Sequence, residues 1–315
     1  MENAERSPNF YFTDGNIILI ADNSTFRVHA SFLARHSRIF NDLLQLPQPS
    51  TSTDSDILDG CPIVHLSDTK EDIECLLSIF YDGLVNPYSS SSSKALPFET
   101  VSAMLRLGFK YDIEFIRAEA ILRLEKCFPS TFEAYDKLRR SGHYNAKSDA
   151  EFLISDPILL RKTDAMEVLK LARQFDLDSL IPLACYVCAQ ISIEELGESF
   201  SDGLITYCDL MRCITGREKF IRTNIDSYSM IFTLIQTTQD TQEDECESAC
   251  SKNIIQAQSR ILGYLSLSPD LLRTYEDFFL GHVEDAGICE RCEALTLRLK
   301  DLVHSDMDTM IAVQR

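Results

Sequence analysis

The sequence predicts an α+β protein with two domains and a connecting segment. Short β-branched runs are concentrated before residue 67, whereas apolar side chains at helical spacing continue far into the second half. A length of 315 residues corresponds to about two domains, and 45% hydrophobic side chains are enough to form a core. We therefore predict a domain with a small β-sheet flanked by helices at 10–128, a connecting segment at 129–163 and an all-α region at 164–305.

The first strands form a hairpin in this prediction. Residues 17–21 are a short β-branched apolar run that ends at Asp22-Asn23, and residues 25–29 alternate in character. One helix follows, and it ends at the prolines that begin at Pro47. Its apolar side chains recur at helical spacing at Leu33, His36, Phe40, Leu43 and Leu44.

A third strand over residues 63–66 precedes the next predicted helix. We expect that helix to be capped by Asp68, with Glu71 three residues on, and its apolar side chains keep helical spacing. These side chains are Ile73, Leu76, Leu77, Phe80, Tyr81 and Leu84. Two amphipathic helices over residues 98–108 and 113–126 complete the first domain.

The second half repeats a pattern of the first. Residues 169–180 resemble residues 105–116 at an offset of 64, and both segments predict a helix, an aromatic-Asp turn and a second helix. Two interpretations stay open: similar helix pairs, or a coincidence between amphipathic hairpins. Cys185 and Cys188 lie on the apolar stripe of the second pair and are expected in a core. Further helices are expected over residues 131–138, 204–213, 246–265, 269–280 and 288–303.

Composition excludes several functional classes. A net charge of −19 disfavours contact with a phosphate backbone, so we expect no direct nucleic-acid partner. Residues 1–8 lack the apolar stretch of a secretory signal, and the longest apolar run, residues 180–191, is shorter than the roughly 20 residues that span a bilayer. Eleven cysteines then indicate reduced thiols. We expect an intracellular protein of the cytoplasm or the nucleus, without membrane contact.

Catalytic motifs are not found in the sequence. It contains no Gly-rich phosphate loop, no dinucleotide-binding glycine turn, no nucleophile elbow and no His-Glu-x-x-His pair. The six histidines have no helix-spaced ligand partners, and a structural hydrogen-bonding role is expected for His29. We therefore predict a non-enzymatic protein with no catalytic residue and no bound cofactor, apart from the metal considered next.

Four late cysteines form two thiol pairs, Cys246 with Cys250 and Cys289 with Cys292. The second pair has the spacing found in zinc knuckles, and both pairs lie near the start of predicted helices. The same cysteines also continue apolar helical stripes. Three interpretations stay open: a structural zinc site with four sulfur ligands, a redox-sensitive disulfide, and thiols packed in a core.

Residues of the first domain are spaced like a family motif. They are Asp14, Phe26, His29, Leu33, Ser37, Phe40, Leu76, Leu77 and Tyr81, followed by the helix pair Val101 to Leu124. On this spacing the first 128 residues resemble a BTB/POZ domain. The whole chain is also similar to BTB-domain proteins abundant in mushroom-forming (basidiomycete) fungi, which carry a helical C-terminal half.

The resemblance implies a protein-interaction module. Such domains dimerise or bind a partner through helix faces, so the implied partners are other proteins, including a cullin or a second copy of the chain. Members serve as substrate adaptors of cullin-type ubiquitin ligases, as transcriptional cofactors or as scaffolds. We expect a non-enzymatic protein-interaction protein, with a substrate adaptor of a cullin-type ubiquitin ligase as the sharper hypothesis and a transcriptional cofactor or scaffold as the alternative.

The chain departs from the family pattern at three places. Only 13 residues precede Asp14, whereas members that dimerise by exchanging N-terminal elements carry a longer leader. Ala30 stands where many repressors have a basic residue, and Pro47-Gln48-Pro49 occupies the place of a hydrophobic-x-Glu element of cullin adaptors. The helix pair Ala165 to Gln190 corresponds to the post-BTB helices that extend the cullin interface in the family.

Overall fold

The computed structural model of the chain describes residues 5–45, 57–83, 95–145 and 151–240, together with residues 256 and 259. Helices and a small mixed sheet are both present, which is compatible with the α+β class. The chain divides into two compact units, which share the predicted connecting segment between them. They are Met1–Phe128 with Lys137–Arg161, and Pro129–Asp136 with Lys162–Arg315.

The first unit contains a five-stranded sheet in the order β1-β3-β2-β5-β4. Its strands are β1 Glu5–Tyr11, β2 Ile17–Ala21, β3 Ser24–Val28, β4 Ile57–Leu58 and β5 Cys61–His65. The predicted hairpin is confirmed, since β2 and β3 pair in antiparallel fashion with Ile17 opposite Val28. Strand β5 lies parallel to β2 on its other side.

Strand β1 was not predicted, and it begins at Glu5, before the first residue of the predicted domain. It pairs parallel to β3 at the edge of the sheet. Pro8 lies within it, because an edge strand tolerates a residue that cannot donate a ladder hydrogen bond. Arg6 and the Tyr11 hydroxyl bind Asp59, at 2.8 and 2.6 Å, and so connect β1 to the turn between β4 and β5.

The first unit also contains five helices. They are α1 Ala30–His36, α2 Arg38–Gln45, α3 Lys70–Asp82, α4 Phe98–Lys110 and α5 Glu114–Cys127. The single helix expected after β3 is interrupted at Ser37, whose backbone is extended (φ −131°, ψ 124°). The Ser37 hydroxyl donates to the Tyr111 carbonyl at 2.6 Å and accepts the Phe40 N–H at 3.1 Å, which stabilises the break.

The cap of α3 lies one residue later than predicted. Thr69, rather than Asp68, is the N-cap, and its hydroxyl accepts the Asp72 N–H at 3.2 Å. Asp68 instead accepts hydrogen bonds from Lys110 Nζ, at 2.7 Å, and from the Tyr111 hydroxyl. Asp68, which was expected to cap α3, therefore connects the start of α3 to the end of α4 instead.

A second, two-stranded sheet joins distant parts of the first unit. Strand β6 Leu96–Pro97 pairs in parallel with β7 Ile158–Leu159. The Pro157 carbonyl accepts the Leu96 N–H at 3.1 Å and Arg123 Nη1 at 2.9 Å. Through these bonds part of the predicted connecting segment belongs to the first unit.

The second unit is helical in its described residues from 164 to 240. Its helices are α6 Phe132–Arg140, which begins in this unit, α7 Asp164–Gln174, α8 Ile181–Cys188, α9 Ile193–Ser201 and α10 Tyr207–Asp240, with a 3₁₀ turn at Asp178–Leu180. The helix predicted over residues 204–213 is the start of the longer α10. None of the described helices is both long and apolar enough to cross a membrane.

The two helix pairs singled out by the sequence share one turn geometry. Asp112 follows α4 at φ 49°, and Asp176 follows α7 at φ 55°. In both turns the next residue donates its N–H back to the helix at 2.9 Å, Ile113 to Gly108 and Leu177 to Ala172. This is a Schellman arrangement, which supports the interpretation of similar pairs. Apart from residues 256 and 259, which are helical, the helices predicted beyond residue 245 lie outside the described residues.

Candidate functional site

Three motif residues form one hydrogen-bonded group in the first unit. His29 lies between β3 and α1, Tyr81 in the last turn of α3, and Asp14 in the turn before β2. The His29 N–H donates to the Tyr81 hydroxyl at 3.1 Å, and His29 Nδ1 lies 3.0 Å from the same hydroxyl. His29 Nε2 lies 3.3 Å from Asp14 Oδ2. This group holds the start of α1 against the end of α3.

The electrostatics of this group fix its protonation near neutral pH. The hydrogen bond from His29 lowers the pKa of Asp14, and burial raises the pKa of Tyr81. Tyr81 therefore stays a neutral phenol, and Asp14 stays a carboxylate beside His29 Nε2. The arrangement is a structural hydrogen-bond chain, which agrees with the role expected for His29.

The remaining motif residues are in the core rather than at a surface. Ser37 is buried, and its hydroxyl is used in the break between α1 and α2. The apolar motif side chains are at most 1% exposed: Phe26, Leu33, Phe40, Leu76 and Leu77. Their packing holds the strands and helices of the first unit together beneath the surface residues described below.

A continuous set of rings, which we term the aromatic row, includes Tyr81 and crosses the first unit. Its members are Phe12, Tyr81, Phe32, Phe80, His36 and Phe115. Successive ring centroids are separated by 4.8, 4.9, 6.3, 5.0 and 5.8 Å in that order. These are ordinary separations for interacting aromatic side chains. The row therefore joins the end of β1 to α1, α3 and α5.

Most of the aromatic row is only partly covered. Phe12, Phe32 and His36 are half-buried, and Phe115 is 42% exposed. On α5 the apolar surface continues through Ala118 to Leu122, which is 47% exposed, at helical spacing from Phe115. Partly exposed aromatic rings are typical of protein-binding surfaces, because a partner can cover their apolar faces.

His36 is the titratable member of the row that faces α5. Burial, with the nearby Arg35 cation, lowers the pKa of His36 below its ordinary value. Its ring stacks on Phe80 at 5.0 Å and meets Phe115 at 5.8 Å. At neutral pH it is therefore an uncharged aromatic ring, suited to an apolar contact.

The sequence identified only part of this surface. Tyr81 was a motif residue, and His36 and Phe80 were assigned to apolar stripes, but Phe12 and Phe115 carried no signal that connected them to the others. They come from segments about 100 residues apart. The i, i+4 spacing of Phe32 and His36 on α1 is the one local pattern that could have indicated a second, outward face.

The cysteines divide between described and undescribed parts of the chain. Cys246, Cys250, Cys289 and Cys292 lie outside the described residues. Within the part that the structure describes, no group of three or more His, Cys, Asp or Glu side chains is arranged to hold a metal.

The two thiols predicted to face a core differ in burial. Cys188 is fully buried, and its thiol donates a hydrogen bond to Cys213, which raises the pKa of Cys188 and lowers that of Cys213. Cys185 is half-buried, and burial raises its pKa to about 12. Protonated, covered thiols of this kind behave as small apolar groups.

These features define the molecule as a mixed α/β unit with a partly exposed aromatic surface, followed by a unit whose described part is helical. A scan against models of known protein families finds no match to the chain. A search of curated proteins finds no match either.

Proposed function

We propose that the chain is a non-enzymatic protein-interaction protein whose first unit is a BTB/POZ-like module. The observation that carries this proposal is the aromatic row, because its partly exposed rings form an apolar surface that a second polypeptide would cover. Burial of such rings is a large source of binding free energy in protein interfaces, where a few aromatic side chains dominate.

The arrangement of elements supports the module assignment. A hairpin is followed by two short helices, a strand (β5) that pairs in parallel with β2, a third helix and a packed helix pair. The motif residues His29 and Tyr81, far apart in sequence, meet in one hydrogen-bonded group. Both features agree with the resemblance described for the sequence.

In the sharper form of this proposal the chain is a substrate adaptor of a cullin-type ubiquitin ligase. The support is the second helix pair, α7 and α8, which corresponds in sequence position to the post-BTB helices of such adaptors. In this form the aromatic row contributes to the cullin contact. The second unit then provides a separate surface for a further protein.

The test is binding of the purified full chain to a purified cullin, measured by calorimetry beside a known BTB adaptor. We expect binding, weakened about tenfold or more by Phe115→Ser, since removing a central aromatic contact costs about 2 kcal/mol or more. Phe200→Ser, a matched exposed phenylalanine of the second unit, is the control and should leave the affinity unchanged. No binding where the known adaptor binds would remove the cullin proposal.

A further inference from the structure

The second unit carries an exposed apolar surface of its own, which we term the α9–α10 face. It consists of Ile193, Gly197, Phe200, Tyr207 and Met211. The four large side chains are 56%, 40%, 63% and 41% exposed, in chain order. Contiguous exposed apolar side chains, unlike scattered ones, mark interaction sites on soluble proteins.

Helical spacing and one ring contact make this face continuous. Ile193, Gly197 and Phe200 stand at i, i+4 and i+7 on α9, so they share one side of that helix. The rings of Phe200 and Tyr207 lie 6.4 Å apart between centroids, which connects α9 to α10. Met211 then follows Tyr207 by four residues, one turn along α10.

The packing of the unit does not require these side chains. Leu196 is the buried side chain of α9 and fixes that helix on the unit. Gly197 lies inside the helix at a cost of about 1 kcal/mol relative to alanine. Apart from its chain neighbours and the nearby backbone of α9, no heavy atom of the described residues lies within 4 Å of the place its Cβ would occupy. The glycine therefore forms a notch between Ile193 and Phe200.

Charge around the face selects the kind of partner. Residues 174–211 contain seven carboxylates and no Lys, Arg or His. One of the seven, Asp209, is buried and paired with Arg173 and Arg212, which flank this stretch, so the exposed acidic border is formed on α9. Glu194 and Glu198 are exposed on α9 on the side of the face that points away from buried Leu196. A partner with basic side chains is attracted to this border, whereas an acidic partner is repelled.

We propose that the α9–α10 face binds a basic amphipathic helix of a partner protein. Apolar side chains of that helix pack between Ile193 and Phe200 over the Gly197 notch, and against Tyr207 and Met211. Its Lys or Arg side chains pair with Glu194 and Glu198. This is the helix-in-groove mode of recognition, in which apolar anchors supply affinity and charges supply orientation.

The test uses the full chain and a synthetic amphipathic Leu/Lys peptide of about 18 residues, enough for five helical turns. Its binding is followed by fluorescence anisotropy at about 0.15 M salt, beside a scrambled peptide of the same composition. We expect saturable binding of the amphipathic peptide and at least tenfold weaker binding of the scrambled one. Ile193→Ser and Phe200→Ser should each reduce the affinity about tenfold, while the control Phe115→Ser should not.

Two further variants separate the notch and the charges from effects on folding. Gly197→Gln introduces a better helix former, so it should keep or raise thermal stability while it fills the notch and lowers peptide affinity several-fold. Glu194→Gln combined with Glu198→Gln should lower the affinity several-fold and reduce its salt dependence. Glu71→Gln, an exposed carboxylate of α3 in the first unit, is the matched control and should change neither quantity.

Other outcomes would overturn the proposal. Equal affinity for both peptides, or affinity unchanged in Phe200→Ser, would show that the peptide is bound only through attraction to the net negative charge of the chain. Self-association that Phe200→Ser abolishes would assign the face to a second copy. Protection of Tyr207 and Met211 from hydroxyl-radical labelling in the chain alone would assign it to the chain's own remaining residues. None of these results bears on the aromatic row, which lies in the other unit.

Discussion

The helix pair α4–α5 in the first unit and the pair α7–α8 in the second have the same turn but a different continuation. Each turn places an aspartate in the left-handed region and closes with a Schellman hydrogen bond. After it, α5 runs for 14 residues, whereas the second pair passes through a 3₁₀ turn into an α8 of 8 residues. The shared turn therefore does not determine the length of the helix that follows it.

The two pairs also differ in what they do with their second helix. Helix α5 exposes Phe115 and Leu122, so it contributes a surface. Helix α8 is largely buried through Leu183, Tyr186 and Val187, so it supports its neighbours. The second helix of the repeated helix-turn-helix pattern therefore exposes apolar side chains in the first unit and is largely buried in the second.

The largest effects are expected from matched buried side chains, Ile116 in the first pair and Leu180 in the second. Both have no exposed surface and stand 64 residues apart at equivalent positions. Ile116→Ala and Leu180→Ala should each lower the free energy of unfolding by about 2–5 kcal/mol, through lost burial and the cavity left behind. Urea unfolding, with hydrogen exchange to assign each effect to its unit, measures this. If either substitution lowers the free energy of unfolding by less than about 1 kcal/mol, the two positions are not equivalent.

A second, smaller effect should distinguish the pairs at Gly108 and its counterpart Ala172. A Cβ at Gly108 would lie 2.9 Å from the Arg117 backbone nitrogen, so Gly108→Ala forces α4 and α5 apart. We expect a loss of about 1–3 kcal/mol for this overpacking. Ala172→Gly should cost about 1 kcal/mol, mainly through helix propensity.

The same unfolding measurements check this pair of variants, and hydrogen exchange of α4 and α5 locates the loss. Gly108→Ala should increase exchange in both helices of the first pair. An unchanged or increased stability of Gly108→Ala would show that the close approach of α5 is not required.

Local patterns in the sequence predicted most of these elements. The hairpin, α3, α4 and α5 were predicted because their apolar periodicity is strong, and a short helix was also predicted where α6 lies. Strands β1 and β6 were not predicted, because Pro8 and Pro97 argue against a strand. The pairing of these two strands also depends on residues far along the chain. The break at Ser37 likewise depends on the Tyr111 carbonyl, which no local pattern reveals.

The candidate site was predicted only where it coincides with the motif. His29 and Tyr81 were identified, but the aromatic row depends on rings such as Phe12 and Phe115 that tertiary packing brings together. The α9–α10 face has a similar cause, since an exposed side chain and a buried one have the same helical spacing. Exposure is a property of the folded unit and is not encoded in spacing alone.

A smaller effect is expected at the two left-handed aspartates. Replacement by glycine relieves the cost of a Cβ in this region, partly offset by the greater freedom of the unfolded chain. Asp176→Gly should therefore raise thermal stability by about 0.5 kcal/mol. Asp112→Gly should gain less, because it also loses the 3.6 Å ion pair with Arg117. Destabilisation by Asp176→Gly, measured by thermal unfolding, would contradict the shared turn geometry.

The smallest effect concerns pH and the aromatic row. Burial lowers the pKa of His36 in the folded state, so the unfolded state binds more protons as the pH falls through about 6.5. The stability of the first unit should therefore decrease from pH 7.5 to 5.5. His36→Phe should reduce this decrease in urea unfolding, since the ring stays and the titration is removed. The same pH dependence in His36→Phe and in the unchanged chain would argue against the buried, neutral ring.

The central claim is that the aromatic row of the first unit binds another protein. The most direct test is quantitative affinity purification with mass spectrometry, comparing the unchanged chain, Phe115→Ser and Phe200→Ser from the cells that express the protein. We predict a group of partners that is lost with Phe115→Ser and retained with Phe200→Ser. An identical set of partners for the unchanged chain and Phe115→Ser would contradict the claim.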